Sequence, residues 1–200
     1  MGRHLFIMSL VLGLIVGLMP ASAAPLHQAA KTGELEEAER LILGGADLEE
    51  LDVDGETPLT AAALAGQTAA VKLLVARGAD IKRQNRGGFT ALHAAAYKGY
   101  IQIVDFALDQ GVGIDDQDNK AGITALHAAA ERDYLDIIKL LIERGARIDL
   151  EELHGWTPID RATLKSHGQT VRLLVHYGAV CPSSRKIGEM FHNYCMNPGG

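Results

Sequence analysis

The stretch GFTALHAAAYKG, residues 88–99, is one of four near-copies of a twelve-residue pattern that decides the fold. The other copies are GETPLTAAALAG from Gly55, GITALHAAAERD from Gly122 and GWTPIDRATLKS from Gly155. Spacings of 33, 34 and 33 residues separate the pattern threonines Thr57, Thr90, Thr124 and Thr157. A fixed period of this length is typical of stacked copies of one structural unit rather than of a single folded core.

A ladder of glycines follows the same period and marks predicted helix ends. Its members are Gly45, Gly78, Gly111, Gly145 and Gly178. Within one copy, Thr57 suits the N-cap of a first helix and Pro58 suits its first position. Gly66 and Gly78 can take the positive φ that ends the first and second helices. Each unit is therefore predicted to be a helix, a turn, a second helix and a long polar loop.

Small and branched side chains at fixed slots predict how the units stack. Alanine pairs share one slot in three first helices, at residues 61–62, 94–95 and 128–129. Branched residues share one slot in the second helices: Val71, Val104, Ile138 and Val171. Helices of roughly nine or ten residues are marginal alone in water, so we expect neighbouring units to stabilise one another.

The pattern resembles the ankyrin repeat family. The resemblance is carried by G-x-T-[PA]-L-[HT]-x-A-A and by the later L-[LI]-V-x-x-G-A-D, and it covers residues 25–179. It implies an all-α solenoid with short β-hairpin tips, whose tips and inner helices form a concave surface that binds proteins. In such repeats the histidine at His93 and His127 is structural and bonds hairpin and backbone groups. We expect a repeat domain over residues 24–180, with five units at about 25–51, 52–84, 85–117, 118–151 and 152–180.

Departures from the pattern predict where the stack ends and where it is irregular. Arg40 in unit one, and Asp160 and Arg161 in unit five, replace the common residues, as expected where a terminal unit faces water. One extra residue near the fourth tip predicts a bulge in that tip. Asp133 stands where other units have the glycine that ends the first helix, and aspartate tolerates the left-handed conformation better than most residues.

Residues 1–23 do not follow the period and are predicted to be a secretory signal peptide. Arg3 gives a weakly basic start, residues 5–19 are almost wholly apolar, and residues 21–23 are small. Cleavage after Ala23 would yield a periplasmic or secreted protein with no stable membrane insertion. The alternative is retention as a membrane anchor, although the apolar run is shorter than the roughly 20 residues of a membrane span.

The two cysteines, Cys181 and Cys195, follow the last unit and are predicted to form a disulfide. An even pair in an exported protein favours this interpretation. Apolar residues with helical spacing lie between them: Ile187, Met190, Phe191 and Tyr194. Residues 181–200 are therefore expected to form a cap, with a short helix covering the exposed end of unit five. The alternative is two unpaired thiols in a disordered tail.

Composition and motifs favour a binding protein over an enzyme or a nucleic-acid-binding protein. The chain has 19 Lys and Arg against 25 Asp and Glu, a formal net charge of −6, whereas a nucleic-acid partner requires a basic stripe. The sequence contains no nucleophile elbow, H-E-x-x-H motif or P-loop. His93 and His127 lie one unit apart, too far to share one zinc ion. We expect no catalytic residue, cofactor or metal.

One offset of the pattern changes sharply between copies and is the predicted contact surface. The residues between the tip glycine and the threonine are Glu56, Phe89, Ile123 and Trp156. The resemblance implies that this position faces the partner, and exposed apolar residues in register commonly mark interaction sites. The remaining candidates lie at first-helix ends and beside the tips: Tyr97, Lys98, Arg132, Lys165, Arg86 and His154. The alternative is that the apolar tip residues only pack on one another and stiffen the tips.

The sequence thus predicts an exported, non-catalytic and monomeric adaptor that binds a partner protein. Two other functions remain open at this stage. One is an inhibitor or immunity-type protein that blocks an enzyme, and the other is a secreted effector that binds host proteins.

Overall fold

The computed structural model describes residues 25–197, so the predicted signal peptide and its cleavage site lie outside the described residues. Over this range the chain forms twelve α-helices and no β-strand. Their bounds are α1 Pro25–Thr32, α2 Leu35–Leu43, α3 Pro58–Leu64, α4 Thr68–Ala76, α5 Ala91–Lys98, α6 Ile101–Asp109, α7 Ala125–Glu131, α8 Leu135–Glu143, α9 Pro158–Leu164, α10 Gly168–His176, α11 Ser184–Ile187 and α12 Glu189–Met196. None of these helices is long and apolar enough to cross a membrane.

The first ten helices form five consecutive pairs, which confirms the predicted stack of helix–turn–helix units. The first helices α1, α3, α5, α7 and α9 contact one another in sequence and form one layer. The second helices α2, α4, α6, α8 and α10 form a layer behind them. The helices are seven to nine residues long, slightly shorter than expected, so their stability depends on packing between pairs.

The pattern threonines start the first helices, as predicted. In α3 the Oγ1 of Thr57 accepts the N–H of Thr60 at 3.0 Å, and Thr60 Oγ1 accepts the N–H of Thr57 at 2.8 Å. In α7 the Nδ1 of His127 takes the place of the Thr60 hydroxyl and lies 2.8 Å from Thr124 Oγ1. This reciprocal cap satisfies amides that would otherwise lack partners at the helix start.

Residues with positive φ separate the two helices of a pair. Gly66 has a φ of +75°, and an added Cβ there would lie 2.5 Å from the Tyr100 ring. Asp133 takes the same conformation with a φ of +62°, as expected. Ser166 also does so, with a φ of +59°, although nothing in the sequence analysis singled it out.

The core runs along the stack between the two helix layers. The shared branched residues of the second helices are all fully buried: Val71, Val104, Ile138 and Val171. The alanine pairs of α3, α5 and α7 are at most 7% exposed. Their small side chains allow adjacent first helices to approach closely, while the branched residues fill the wider space behind them.

The tips between pairs are hydrogen-bonded turns without assigned strands. The N–H of Asn85 donates to the carbonyl of Phe89 at 2.9 Å and closes its own tip. The N–H of Arg86 donates to Gly55 O at 2.8 Å and joins this tip to the preceding one. One such bond within a tip and one between neighbouring tips are too few to form a β-ladder. The expected β-hairpins are therefore present only as turns.

The prediction of a bulge in the fourth tip is wrong. Asn119 Oδ1 accepts two tip amides at 3.2 and 2.9 Å, in the same arrangement as Asn85 in the preceding tip. The extra residue lies before the tip, because eight residue steps separate Gly111 from Asn119 and seven separate Gly78 from Asn85. The tip keeps its asparagine turn because that turn is local and the preceding segment absorbs the insertion. Its bond to the carbonyl of Ile123 comes from Asn119 Nδ2, at 2.7 Å, and not from the backbone N–H as in the preceding tip.

The C-terminal segment covers the last pair and contains the predicted disulfide between Cys181 and Cys195, with Cα atoms 5.8 Å apart. Helix α12 contacts α9 and α10. The single helix expected here is interrupted at Gly188, whose φ of +82° and ψ of 158° separate α11 from α12. Within α12, Met190 is 71% exposed, whereas Tyr194 packs against the core.

Candidate partner-binding site

A cavity of about 250 Å³ opens between the tips and the first helices of the second, third and fourth pairs. We call it the groove cavity. Its lining residues are Glu56, Leu64, Asn85, Phe89, His93, Ala94, Tyr97, Ile123, Ala128 and Glu131. Three of the nine predicted partner-binding residues, Phe89, Tyr97 and Ile123, therefore come together at one place.

The repeat geometry creates this space through small residues between two larger ones. Each tip contributes one side chain, and the end of each first helix contributes another. Between them stand Ala94 in α5 and Ala128 in α7, which leave room. In α9 the corresponding residue is Arg161, and its Nη1 lies 2.5 Å from Glu131 Oε2. The cavity therefore reaches a charged wall at the last pair.

Phe89 and Ile123 form the apolar part of the groove cavity. Both are half-buried, and Ile123 packs against the core. The Phe89 ring meets the His93 ring edge-on, with centroids 5.7 Å apart. Each residue is therefore fixed by its own unit while part of its side chain faces the cavity.

Two of the positive charges predicted at the rim lie over the Tyr97 ring. The Tyr97 side chain is 41% exposed at the end of α5. The Arg132 guanidinium lies 4.8 Å from the centre of its ring, and the Lys98 ammonium lies 5.8 Å from it. Cations over an aromatic face are attracted by its negative charge density. Arg132 and Lys98 therefore border the groove cavity through Tyr97.

Two carboxylates line the groove cavity, and their surroundings differ. Glu131 pairs with Arg161 and also with Lys165, whose Nζ lies 3.8 Å from Glu131 Oε1. Both oxygens of Glu56 lie 3.0 Å from Nδ2 of Asn85, a neutral amide. The positive charges near the cavity are thus concentrated around Glu131 and Tyr97.

The histidines of the shared slot hold the tips against the helices. The Nε2 of His93 lies 3.1 Å from Asp116 O, and that of His127 lies 2.9 Å from Trp156 O. Burial lowers the pKa of both imidazoles below the ordinary value. The structural role that the resemblance implied is confirmed by these bonds. Among residues 25–197, no three His, Cys, Asp or Glu side chains are grouped so that they could hold a metal ion.

The remaining predicted residues lie on the tips and do not line the groove cavity. Arg86 Nη1 is 3.5 Å from the carbonyl of Val53 in the preceding tip. The His154 ring is 6.3 Å from the Trp156 ring, and its Nδ1 is 3.1 Å from Glu152 Oε2. Arg86, His154 and Trp156 could contact only a partner that extends beyond the cavity.

A buried charge network lies beside the cavity wall at the fifth tip. The Glu152 side chain is fully buried, 3.5 Å from Arg161. Burial alone would raise the pKa of Glu152, but hydrogen bonds from His154 and the charge of Arg161 hold that pKa below its usual value. The network fixes the Arg161 guanidinium, which in turn holds Glu131.

Sequence reasoning missed several lining residues, most clearly Asn85 and Glu131. A signal for Glu131 was present, since the residue after the third alanine changes from Leu64 to Tyr97 to Glu131 in successive copies. The residue type at this position therefore differs between copies, as it does at the position between the tip glycine and the threonine. Variation at a fixed offset therefore marks both walls of the cavity.

The stacked helix pairs and their groove define a helical repeat protein. A family model described as ankyrin repeats (3 copies) matches residues 26–118 and again residues 106–184. The chain belongs to the ankyrin repeat family. Ankyrin repeats are generally protein–protein interaction modules and are typically non-catalytic. No curated protein matches the chain in sequence.

Proposed function

We propose that this chain is an exported, non-catalytic module that binds a partner protein through the groove cavity and the adjoining tips. The observation that carries the proposal is the convergence of Phe89, Ile123 and Tyr97 on one open cavity. Aromatic residues in such positions dominate many protein–protein binding sites. Export is supported by the apolar leader in the sequence and by the disulfide between Cys181 and Cys195, which fits an oxidising compartment.

The size of the cavity favours a protein partner over a small metabolite. Sites for small molecules typically enclose about 300–1,000 Å³. The groove cavity measures about 250 Å³. The half-buried Trp156 and the exposed His154 lie on the fifth tip, outside its lining. A partner that inserts one or two side chains and also covers the tips fits this arrangement.

The test is affinity capture from the exported fraction, followed by direct binding measurements with the captured partner. Combining Phe89→Ala with Ile123→Ala should reduce binding at least tenfold, because it removes the apolar part of the cavity. Val175→Ala is the control, since Val175 is 43% exposed on α10 in the second-helix layer. Circular dichroism should show that all variants remain folded. Unchanged binding by the folded double variant would refute the proposal.

A further inference from the structure

We propose that the groove cavity receives one arginine or lysine side chain of the partner, with Glu56 as the carboxylate that binds it. This inference rests on the proposed function, because it names the chemistry that the same groove recognises. It commits to a cationic side chain carried by a protein.

Glu56 is a carboxylate without a cation. It is half-buried in the cavity wall and forms no ion pair with any residue in the described range. Both of its oxygens contact Nδ2 of Asn85 at 3.0 Å. A carboxylate that has only a neutral amide for a partner can form a stronger, charge-assisted hydrogen bond with a cation.

The position of Glu56 is fixed before any partner binds. The Oδ1 of Asn85 accepts the amides of Gly87 and Phe89, each at 2.9 Å, so the amide nitrogen must face Glu56. The backbone of Glu56 is also held, since its N–H donates to Asp52 Oδ1 at 2.9 Å. A preorganised carboxylate loses little freedom on binding, which favours affinity.

The nearby cations are engaged elsewhere. Arg161 and Lys165 pair with Glu131, at the opposite end of the cavity lining. Arg132 and Lys98 lie over the Tyr97 ring, and the Arg86 guanidinium lies 3.5 Å from a backbone carbonyl. These contacts leave the charge of Glu56 available to a group from outside the chain.

The apolar lining suits the rest of such a side chain. Leu64, Phe89 and Ile123 surround the space that leads to Glu56. Lysine and arginine have aliphatic stems that pack on apolar surface while the charged end reaches a polar partner. A neutral apolar side chain would fill the same space but leave Glu56 without a counter-charge.

The test uses twelve-residue random peptides displayed on phage and selected on the purified protein. Selected peptides are synthesised, and their Kd values are measured by calorimetry on the wild type, Glu56→Gln and Glu143→Gln. Glu143→Gln is the matched control, because it removes the same charge from an exposed position at the end of α8. Circular dichroism melting checks that each variant is folded.

We expect the peptides to share an arginine or a lysine. Replacing it by citrulline or norleucine should weaken binding to the wild type at least tenfold, and binding to Glu56→Gln less than twofold. Glu143→Gln should bind like the wild type. Peptides that lose binding with Phe89→Ala but bind Glu56→Gln as tightly as the wild type would overturn this inference and leave the proposed function standing. Failure to select any peptide that depends on Phe89 would count against both.

Discussion

Lys186 donates from Nζ to Oδ2 of Asp160 over 2.6 Å and joins the C-terminal segment to the last helix pair. Asp160 occupies the slot that His93 and His127 fill in earlier units. Those histidines bond backbone carbonyls in the segments that follow their own helix pairs, at Asp116 and Trp156. After the last pair the chain continues into α11 and α12 instead of another tip, so a carboxylate and an ammonium group make the corresponding link.

Replacing Lys186 by methionine should lower the free energy of unfolding by about 2 kcal/mol, measured by urea denaturation. Asp160 is 1% exposed, so its carboxylate would lose the only cation that pairs with it among residues 25–197. Breaking a fully buried pair costs about 3–5 kcal/mol, and the Lys186 side chain is 32% exposed, so water would offset part of the loss.

The control for this prediction is Lys139→Met on α8. The Lys139 side chain is 48% exposed and its ammonium lies 3.9 Å from Asp136, so the loss should stay below about 0.5 kcal/mol. Combining Asp160→Asn with Lys186→Met should cost less than the sum of the two single changes. Equal losses for the lysine variants at positions 139 and 186 would show that the link does not stabilise the end of the stack.

The buried histidines should make stability fall as the pH drops through the range of free imidazole. Because burial lowers the pKa of His93 and His127, the folded state stays neutral at a pH where the unfolded chain already binds protons. Their contribution is therefore complete above the unfolded pKa of about 6.5 and is lost progressively below it. Urea denaturation at a series of pH values from 8 down to 5 would measure this loss.

The variant His93→Thr tests whether His93 causes this pH dependence of stability. Threonine is chosen because α3 has a threonine, Thr60, at the same position of the repeat. The threonine can keep the reciprocal cap with Thr90 but loses the bond to Asp116 O, at a cost of about 1 kcal/mol near neutral pH. The slope of stability between pH 6.5 and 5 should become smaller. His176→Thr, at an exposed position on α10, should leave that slope unchanged. An unchanged slope in His93→Thr would show that His93 is not responsible.

The scaffold could be predicted because its determinants are local and recur. Thr57 caps a helix by bonding residues three positions away, and Gly66 ends it through its own φ, so neither depends on distant contacts. The break at Gly188 was missed because the apolar spacing from Ile187 to Tyr194 continues through it. A helical period shows which face is apolar, but it does not show whether one glycine interrupts the backbone.

The candidate site could be predicted only in part. Phe89 and Ile123 were predicted because the residue type at their shared position in the repeat differs between copies. The pairing of Glu131 with Arg161 joins side chains 30 residues apart, and it depends on the register between α7 and α9. The preorganisation of Glu56 could not be predicted either, because it depends on the orientation of the Asn85 side-chain amide.

Removing the disulfide should weaken the C-terminal cap and lower the stability of the whole chain. For the double change Cys181→Ser and Cys195→Ser, closure of a loop of this size predicts a loss of about 3 kcal/mol. The check is urea denaturation with and without a reducing agent. Reduction should lower the stability of the wild type to that of the variant and leave the variant unaffected. A wild type that reduction does not weaken would contradict the stabilising role of the disulfide.

Ser166→Gly should raise the free energy of unfolding by about 0.5–1 kcal/mol. The left-handed φ of +59° costs a non-glycine residue roughly 1–2 kcal/mol, and glycine recovers it at a smaller cost in unfolded-state entropy. The bond from the Tyr194 hydroxyl reaches the backbone carbonyl of Ser166 and survives the change. Asp133 is less suitable, because its carboxylate accepts the Thr170 hydroxyl at 2.7 Å.

The reverse substitution, Gly66→Ser, would force a Cβ to 2.5 Å from the Tyr100 ring and should cost about 2 kcal/mol or more. If urea denaturation shows both variants to be destabilised, backbone strain at Ser166 is not what limits stability there.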